Sequence, residues 1–139
     1  MDTLQLARAF AQALDAEDYQ RAESLLAEGC VYDSPDGQLR GAQAIVESYR
    51  VHSDRARKEF DEVRYDSQVG PVGPLEFQIL YRDHLRTGNH DHTFQCAQRI
   101  RIGEAGKIVS ISHEEIPGER ARLNEFRARV ERDVRTNND

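Results

Sequence analysis

The sequence predicts an α+β domain in which helices come first and a curved antiparallel sheet follows. Apolar residues recur at helical spacing in the first third of the 139-residue chain. From residue 59 onward they alternate with polar residues, as in strands that bury one face. Helices followed by strands are typical of α+β domains, and the length fits one domain, residues 1–139, with one core.

Two helices are expected at the start of the chain. The apolar face of the first consists of Leu4, Ala7, Phe10, Ala11 and Leu14. The acidic segment 15–18 interrupts this helix and suits the start of a second one. The apolar face of the second helix runs from Tyr19 to Leu26, and Gly29 is its expected stop.

A short strand and a third helix come next. Residues 30–33 have strand character, and residues 34–37 form a turn in which proline restricts φ and glycine permits a positive φ. Beyond Gly41, Ala42 and Ile45 begin an apolar stripe that continues to Tyr49 and predicts the third helix.

The second half predicts a meander of long strands and then a helix. Period-two alternation and turn residues place strands at 60–69, 75–86, 91–101 and 107–115, and a helix at 117–135. The glycines and prolines of residues 70–74 are expected to close the first of these strands.

The composition excludes several classes of function. A net charge of −6 argues against a nucleic-acid partner, because binding to phosphates requires a basic surface. No apolar run is long enough for a membrane span, and the first residues lack the basic and apolar regions of a secretory signal. Cys30 and Cys96 form no CxxC pair, which favours two buried thiols in a reducing cytoplasm.

Four segments carry a resemblance to a known superfamily. They are residues 10–18 (FAQALDAED), 32–35 (YDSP), 41–45 (GAQAI) and 106–110 (GKIVS). The chain resembles nuclear transport factor 2-like proteins, in their SnoaL-like branch, over roughly residues 4–115. The resemblance implies a conical, cystatin-like roll that closes over a pocket. It is weak for function, since the superfamily includes isomerases, polyketide cyclases, dehydratases, epoxide hydrolases and non-catalytic transport or assembly modules.

A comparison with ketosteroid isomerase, an enzyme of this fold, argues against that activity for this chain. That family uses a tyrosine on the first helix, an aspartate base before a proline and a protonated acid on a late strand. In this sequence the three positions fall on Phe10, Ser34 and Gln98, although Asp33 lies one residue before the base position. The chain is therefore not expected to be a ketosteroid isomerase, although Gln98 can still donate one hydrogen bond.

Two aspartates are candidate catalytic groups. Asp33 lies between an apolar strand and a turn. A carboxylate there is either a general base at the mouth of a pocket or a ligand of the turn backbone. Asp83 shares a strand face with Tyr81, which places its carboxyl group in the interior or at the rim.

His113 is the third candidate catalytic group. Strand alternation places it on one face with Ile111 and Glu115, about 7 Å from Glu115 at roughly 3.3 Å per residue. If that face is the pocket, the histidine and the carboxylate can act as an acid–base pair. Otherwise the strand frays there and both side chains are exposed.

Aromatic and amide side chains are expected to position the substrate. Tyrosines 32, 49 and 81 fall on inward faces, where a buried hydroxyl needs a partner. The alternative is that they are core aromatics with satisfied hydroxyls. The predicted substrate-binding residues are Phe10, Tyr32, Tyr49, Tyr81, His92, Phe94, Gln98, Ile111 and Glu115.

A metal site and a cofactor are not expected. His90 and His92 flank Asp91, and His84 is expected on the neighbouring strand, an arrangement that invites a zinc interpretation. A polar hairpin rim is nevertheless usually solvated, and the spacing defines no third ligand. The sequence has no phosphate loop, nucleophile elbow or G-x-G-x-x-G motif, so no dinucleotide is expected.

Two hypotheses for function follow. The first is a protein that binds a small apolar molecule and acts on it as a metal-independent, cofactor-free isomerase, cyclase or dehydratase. The second is a non-catalytic, homodimeric binding or assembly module of the same fold. An open pocket with two titratable groups favours the first, and a pocket filled by Phe10, Tyr49 and Phe94 favours the second. A homodimer is expected in both, since the outer sheet face with Arg99 and Arg101 would be exposed in a monomer.

Overall fold

The predicted order of helices and strands is confirmed. A computed structural model describes residues 1–138, so the last residue of the predicted domain, Asp139, lies outside the described residues. The elements are α1 Thr3–Asp15, α2 Tyr19–Leu25, β1 Leu26–Ser34, β2 Gly37–Arg40, α3 Ala42–Glu59, β3 Glu62–Gly73, β4 Glu76–Thr87, β5 His90–Ile102, β6 Ile108–Glu115 and α4 Glu119–Asn138. No helix within residues 1–138 is long and apolar enough to cross a membrane.

The six strands form one mixed sheet in the order β2-β1-β6-β5-β4-β3. The expectation of a fully antiparallel sheet is wrong at one place, where β1 pairs with β6 in parallel. The other neighbours are antiparallel. The last strand of the meander thus lies between the hairpin β1–β2 and the rest of the meander, and it joins both halves of the chain into one sheet.

Three local predictions near the turns are wrong. The second helix ends at Leu25 and Gly29 lies inside β1, whose pairing with β6 shifts register between Leu26 and Val31. The strand β2 was not predicted at all. The strand β3 continues through Pro71 to Gly73. Proline is tolerated there because β3 is an edge strand, so its open side needs no hydrogen bond from that residue.

The main hydrophobic core lies between the first helices and the concave face of the sheet. The helix α1 starts with a capping box between Asp2 and Gln5 and buries Phe10 completely. In α3, Ile45 is likewise fully buried. These side chains pack with Ile79 of β4 and Ile100 of β5, which are also inaccessible to solvent.

A second, smaller core lies under α4 at the far end of the long strands. It consists of Phe60, Val63, Leu85, Leu123 and Phe126. Leu123 and Phe126 therefore pack on their own domain, whereas Val134, further along the same helix, is 52% exposed.

One buried charge attaches α4 to the sheet. Glu119 is 4% exposed, and its Oε1 accepts a hydrogen bond of 3.1 Å from the backbone N–H of Gln95 in β5. Its Oε2 accepts a bond of 3.0 Å from Arg122. The pairing of β5 with β6 starts only at Cys96, so the Gln95 amide needs a partner from outside the sheet.

Truncation of Phe126 tests the contribution of the second core. Phe126→Ala removes a fully buried ring and leaves a cavity, so we expect the free energy of unfolding to fall by about 3–5 kcal/mol. Val134→Ala on the same helix should change it by less than about 0.5 kcal/mol, because Val134 is exposed. Urea unfolding followed by circular dichroism measures both; similar losses would contradict the assignment of the core.

Candidate functional site

A cavity of about 570 Å³ opens between the helices and the concave face of the sheet. We call it the central cavity. Side chains from α1, α2, α3 and all six strands line it, together with the turn between β1 and β2, and α4 contributes one residue. Its polar lining consists of Asp15, Tyr19, Tyr32, Ser34, Asp36, Ser48, Tyr49, His52, Ser53, Tyr65, Tyr81, Asp83, Gln98, His113, Glu115 and Arg120.

Gln98 is the centre of a hydrogen-bond network on the cavity floor. It is 3% exposed, and its Oε1 accepts a hydrogen bond of 2.6 Å from the hydroxyl of Tyr49. Its Nε2 donates to the hydroxyl of Tyr32 at 3.4 Å and lies 3.3 Å from Nδ1 of His113. Four of the predicted site residues therefore meet at one point, and each satisfies a polar atom of another.

The five tyrosines of the chain all line the central cavity. The ring of Tyr49 stands edge-on to those of Phe10 and Tyr32, with centroids 6.2 and 6.0 Å apart. The hydroxyl of Tyr81 is different, because it is buried and has no hydrogen-bond partner within residues 1–138. The inward orientation expected for Tyr32, Tyr49 and Tyr81 is what the structure shows.

Asp83 and Asp15 form the acidic side of the cavity. Asp83 is half-buried beside Tyr81 and accepts no hydrogen bond from any described residue. Burial is the main cause that raises its pKa to about 7, and the negative charge of Asp15 adds to the shift. Asp15 also has a raised pKa, mainly through burial, although a hydrogen bond of 2.6 Å from Ser67 opposes the rise.

His113 and His52 lie on the opposite side, towards the mouth. Desolvation is the largest cause that lowers the pKa of both imidazoles. Glu115, two residues after His113, is bound at 2.6 Å by Arg120 of α4, and this hydrogen bond holds the pKa of its carboxyl group below the ordinary value. The predicted pair His113 and Glu115 thus lies at the cavity, but the carboxylate is already paired with a guanidinium.

The expected position of Asp33 at the pocket is corrected by the structure. Tyr32 points into the cavity, so alternation along β1 turns Asp33 to the outer face, where it is exposed. Its Oδ1 accepts a hydrogen bond of 2.8 Å from the side chain of Gln38 in β2. Ser34, the next residue, lines the cavity in its place.

Four other predicted pocket residues lie outside the cavity lining. Phe10 and Ile111 are fully buried in the main core. The ring of His92 stacks on Phe126 with centroids 5.1 Å apart, and Phe94 packs against the second core. The helix α4 covers this end of the sheet, which sequence alternation alone does not reveal.

The histidines of the β4–β5 hairpin point to different partners. His84 is bound to Asp66 at 2.6 Å, and His90 pairs with Asp133 of α4. His92 turns inward onto the ring of Phe126. Within residues 1–138, no three His, Cys, Asp or Glu side chains are grouped as metal ligands would be.

Sequence reasoning missed His52 and Asp15 as cavity residues, and periodicity could have found His52. His52 lies three residues after Tyr49 and seven after Ile45, which places all three on one face of α3. Asp15 was interpreted as a helix breaker, although it is the last residue of α1 and lies four residues after Ala11 on the same face. Its role as a cavity residue depends on the tertiary contact with Ser67, which local sequence does not encode.

The cavity therefore holds two kinds of titratable groups, a carboxyl group and imidazoles, on opposite sides. One side carries a carboxyl group with a pKa of about 7, and the other carries two imidazoles with lowered pKa values. Such groups can accept or donate a proton near neutral pH without a cofactor. The amide of Gln98 and the tyrosines supply hydrogen bonds that orient a polar group of a ligand.

Comparison with protein families gives one match, and it covers most of the chain. Residues 7–111 match the family described as the SnoaL-like domain. No curated protein matches the sequence.

Solved structures confirm the fold at low sequence identity. An NTF2-like protein from Cytophaga hutchinsonii superposes with a TM-score of 0.60 and 16% identity, covering 84% of this chain and 92% of that one. A protein from Mycobacterium tuberculosis, solved in complex with estradiol-17beta-hemisuccinate, superposes with a TM-score of 0.63 and 16% identity. The match covers 84% of this chain and 95% of that one. An LEH-like epoxide hydrolase from M. tuberculosis superposes with a TM-score of 0.61 and 16% identity, and the match covers 84% of each chain. At such identities the likeness concerns the fold.

The stability of the Asp83→Asn variant tests the burial of this carboxyl group. The pKa is about 7 in the folded protein and 3.8 in the ordinary state, so folding favours the protonated form. The carboxylate therefore destabilises the fold as pH rises from 4 to above 7. We expect Asp83→Asn to raise the free energy of unfolding by roughly 1–3 kcal/mol at pH 8 and to have little effect at pH 4.

Urea unfolding at the two pH values measures this difference. Asp91→Asn is a matched control, because Asp91 is an exposed strand residue outside the cavity. A stability gain of Asp83→Asn that is the same at pH 4 and pH 8 would show that the charge of Asp83 is not its cause.

Proposed function

Because this chain belongs to the SnoaL-like domain family, we propose that it binds a small, largely apolar molecule in the central cavity and acts on it by cofactor-free acid–base catalysis. The reaction class is proton transfer at a carbon or oxygen atom, as in isomerases, cyclases and dehydratases. The observation that carries this proposal is Asp83, a partner-free carboxyl group at the cavity wall with a pKa of about 7.

Asp83 has the properties of a general base or acid near neutral pH. A catalytic group is most effective when its pKa lies close to the working pH, because both protonation states are then populated. Burial produces this in Asp83. In the proposed reaction, Asp83 removes a proton from the substrate and returns it to another position.

The remaining cavity groups are assigned supporting roles. Gln98 and the hydroxyls of Tyr32 and Tyr49 bind the polar group of the substrate, since their network faces the cavity from its floor. His113, next to Gln98, is the second proton carrier, because a neutral imidazole accepts a proton near the site at which charge develops. These roles are proposals that rest on position and on hydrogen bonding.

The alternative of a non-catalytic homodimeric binding or assembly module has weaker support. It would be favoured by a cavity filled with side chains. Phe10 and Phe94, two of the three residues expected to fill it, lie outside the lining. A cavity of about 570 Å³ is in the range of small-molecule sites.

Nitrobenzisoxazole is a neutral carbon acid that tests the base directly. Removal of its ring C–H proton breaks the N–O bond and yields a coloured cyanophenolate, so no knowledge of the natural substrate is needed. We expect the protein to accelerate this reaction, with a rate that rises with pH through about 7 as Asp83 ionises. Asp83→Asn should reduce the rate by about a hundredfold.

The control is Asp91→Asn, which should retain the wild-type rate because Asp91 lies outside the cavity. Turnover that survives in Asp83→Asn would remove Asp83 from the proposed catalytic role. Absence of turnover in the wild-type protein, with ligands still bound in the cavity, would favour the binding module.

We also propose a homodimer that packs on the outer face of the sheet. Leu80 is a half-buried apolar residue on that face, directly across from Ala97 of β5. The acidic residue Glu114 of β6 lies across from Ala97 on its other side, and the basic residue Arg99 follows two positions along β5. An apolar centre with a charged rim is the common composition of an interface.

Light scattering of the intact protein at micromolar concentration tests the dimer. We expect a mass of twice 15.9 kDa for the wild-type protein. Leu80→Arg should shift it to the monomer mass, because it places a charge in the apolar centre, whereas Val134→Ala should not. A wild-type mass of 15.9 kDa would overturn the homodimer.

A further inference from the structure

The wall that carries Asp83 has one polar atom without a partner. The residue Tyr81 is 9% exposed and lines the central cavity, and its hydroxyl is buried with no hydrogen-bond partner among residues 1–138. A buried polar group without a partner is uncommon in folded proteins and calls for an explanation, such as a catalytic role or a bound water or ion. The acidic side of the cavity therefore has one hydrogen-bonding group, the Tyr81 hydroxyl, that is available to a ligand.

Strand pairing brings this hydroxyl together with the two carboxyl groups. Tyr81 lies directly across from Ser67, and Asp83 lies directly across from Tyr65, so the four side chains share the concave face. Ser67 donates a hydrogen bond of 2.6 Å to Oδ2 of Asp15. The carboxyl group of Asp15 is thus held over β3 and β4, next to Tyr81 and Asp83.

No cation balances these carboxyl groups inside the cavity. Four carboxyl side chains line the cavity, but the only guanidinium in its lining is that of Arg120. This guanidinium is bound to Glu115 at 2.6 Å on the opposite side. The two histidines of the lining have lowered pKa values and are mainly neutral at neutral pH. The electrostatic field of the cavity thus disfavours an anion and favours a cation.

We propose that the central cavity recognises a protonated primary amine, whose ammonium group binds between Asp15, Asp83 and Tyr81. An ammonium group has three N–H donors and no acceptor. The wall offers three matching acceptors: the carboxylate of Asp83, the hydroxyl oxygen of Tyr81 and Oδ1 of Asp15, to which no described residue donates a hydrogen bond. A neutral hydroxyl or carbonyl group would leave one or both carboxylates without a counter-charge.

The rest of the cavity fits an apolar or aromatic body on this amine. The rings of Tyr19, Tyr65 and Tyr49 and the side chain of Leu14 form part of its wall. Aromatic faces also attract a cation through their quadrupole. This inference deepens the proposed function and rests on its premise that the cavity binds a small molecule, for which it names the class: an amine with an apolar body.

Three probes with the same phenyl body test the inference. Phenylethylamine is a cation, phenylethanol is neutral and phenylacetate is an anion. Titration calorimetry with the full-length chain at pH 8, where Asp83 is ionised, measures their affinities. We expect the amine to bind at least about tenfold more tightly than the alcohol, and the acid to bind most weakly.

Variants of the wall identify the site of the ammonium group. Asp83→Asn and Asp15→Asn should each weaken amine binding by about tenfold and change alcohol binding by less than about twofold. Asp91→Asn, outside the cavity, should alter neither affinity. Equal or tighter binding of the alcohol or the acid, or unchanged amine binding in both cavity variants, would overturn the inference.

Turnover of nitrobenzisoxazole separates this inference from the acid–base proposal. The amine should inhibit that reaction competitively in the wild-type protein, because both occupy the central cavity. Selective amine binding without any turnover would support the ammonium site and overturn the catalytic role of Asp83. Turnover that the amine does not inhibit would overturn the ammonium site and leave the catalytic role intact.

Discussion

The desolvation of the inner face of β4 is the constraint on which the site depends. Along this face, Ile79 and Tyr81 belong to the main core and Leu85 belongs to the second core. Asp83 lies between them on the same face. The strand cannot bury its apolar residues at both ends without withdrawing the carboxyl group between them from water. The raised pKa of Asp83 is therefore a consequence of how the sheet is covered, and it is maintained by packing at two separate places.

This arrangement also explains why the cavity stays open. The helices α1 and α3 cover the end of the sheet near Ile79 and Ile100, while α4 covers the end near Leu85. Between these two groups of helices, the cavity floor consists of the amide of Gln98 and the hydroxyls of Tyr32 and Tyr49. A polar floor gains little from apolar contacts, and its groups already bind one another. The unfilled region thus coincides with the region where filling would stabilise the fold least.

Sequence periodicity identified the inward face of β4 and β5, on which Tyr81, Asp83 and Gln98 line the central cavity. Alternation was not applied to Asp33, which was placed by its neighbouring turn, whereas the alternation of β1 turns it outward. Periodicity failed where the environment of a residue is set by distant segments. His92 lies on the expected face, but α4 covers it, and docking of that helix depends on contacts across more than thirty residues of chain. Asp15 looked like a helix terminator because its partner, Ser67, lies on a strand far along the sequence.

The attachment of α4 through Glu119 has a further consequence for the behaviour of the protein in solution. β5 extends beyond β6 by the residues before Cys96, so one side of its backbone is a free strand edge over that length. Free edges of this kind are templates on which strands of other molecules add and aggregation begins. The first turn of α4 occupies the edge at Gln95 with the carboxylate of Glu119, so an incoming strand would have to displace this carboxylate from its hydrogen bond to the Gln95 amide. The helix that completes the second core therefore also protects this part of the β5 edge from pairing with a strand of another molecule.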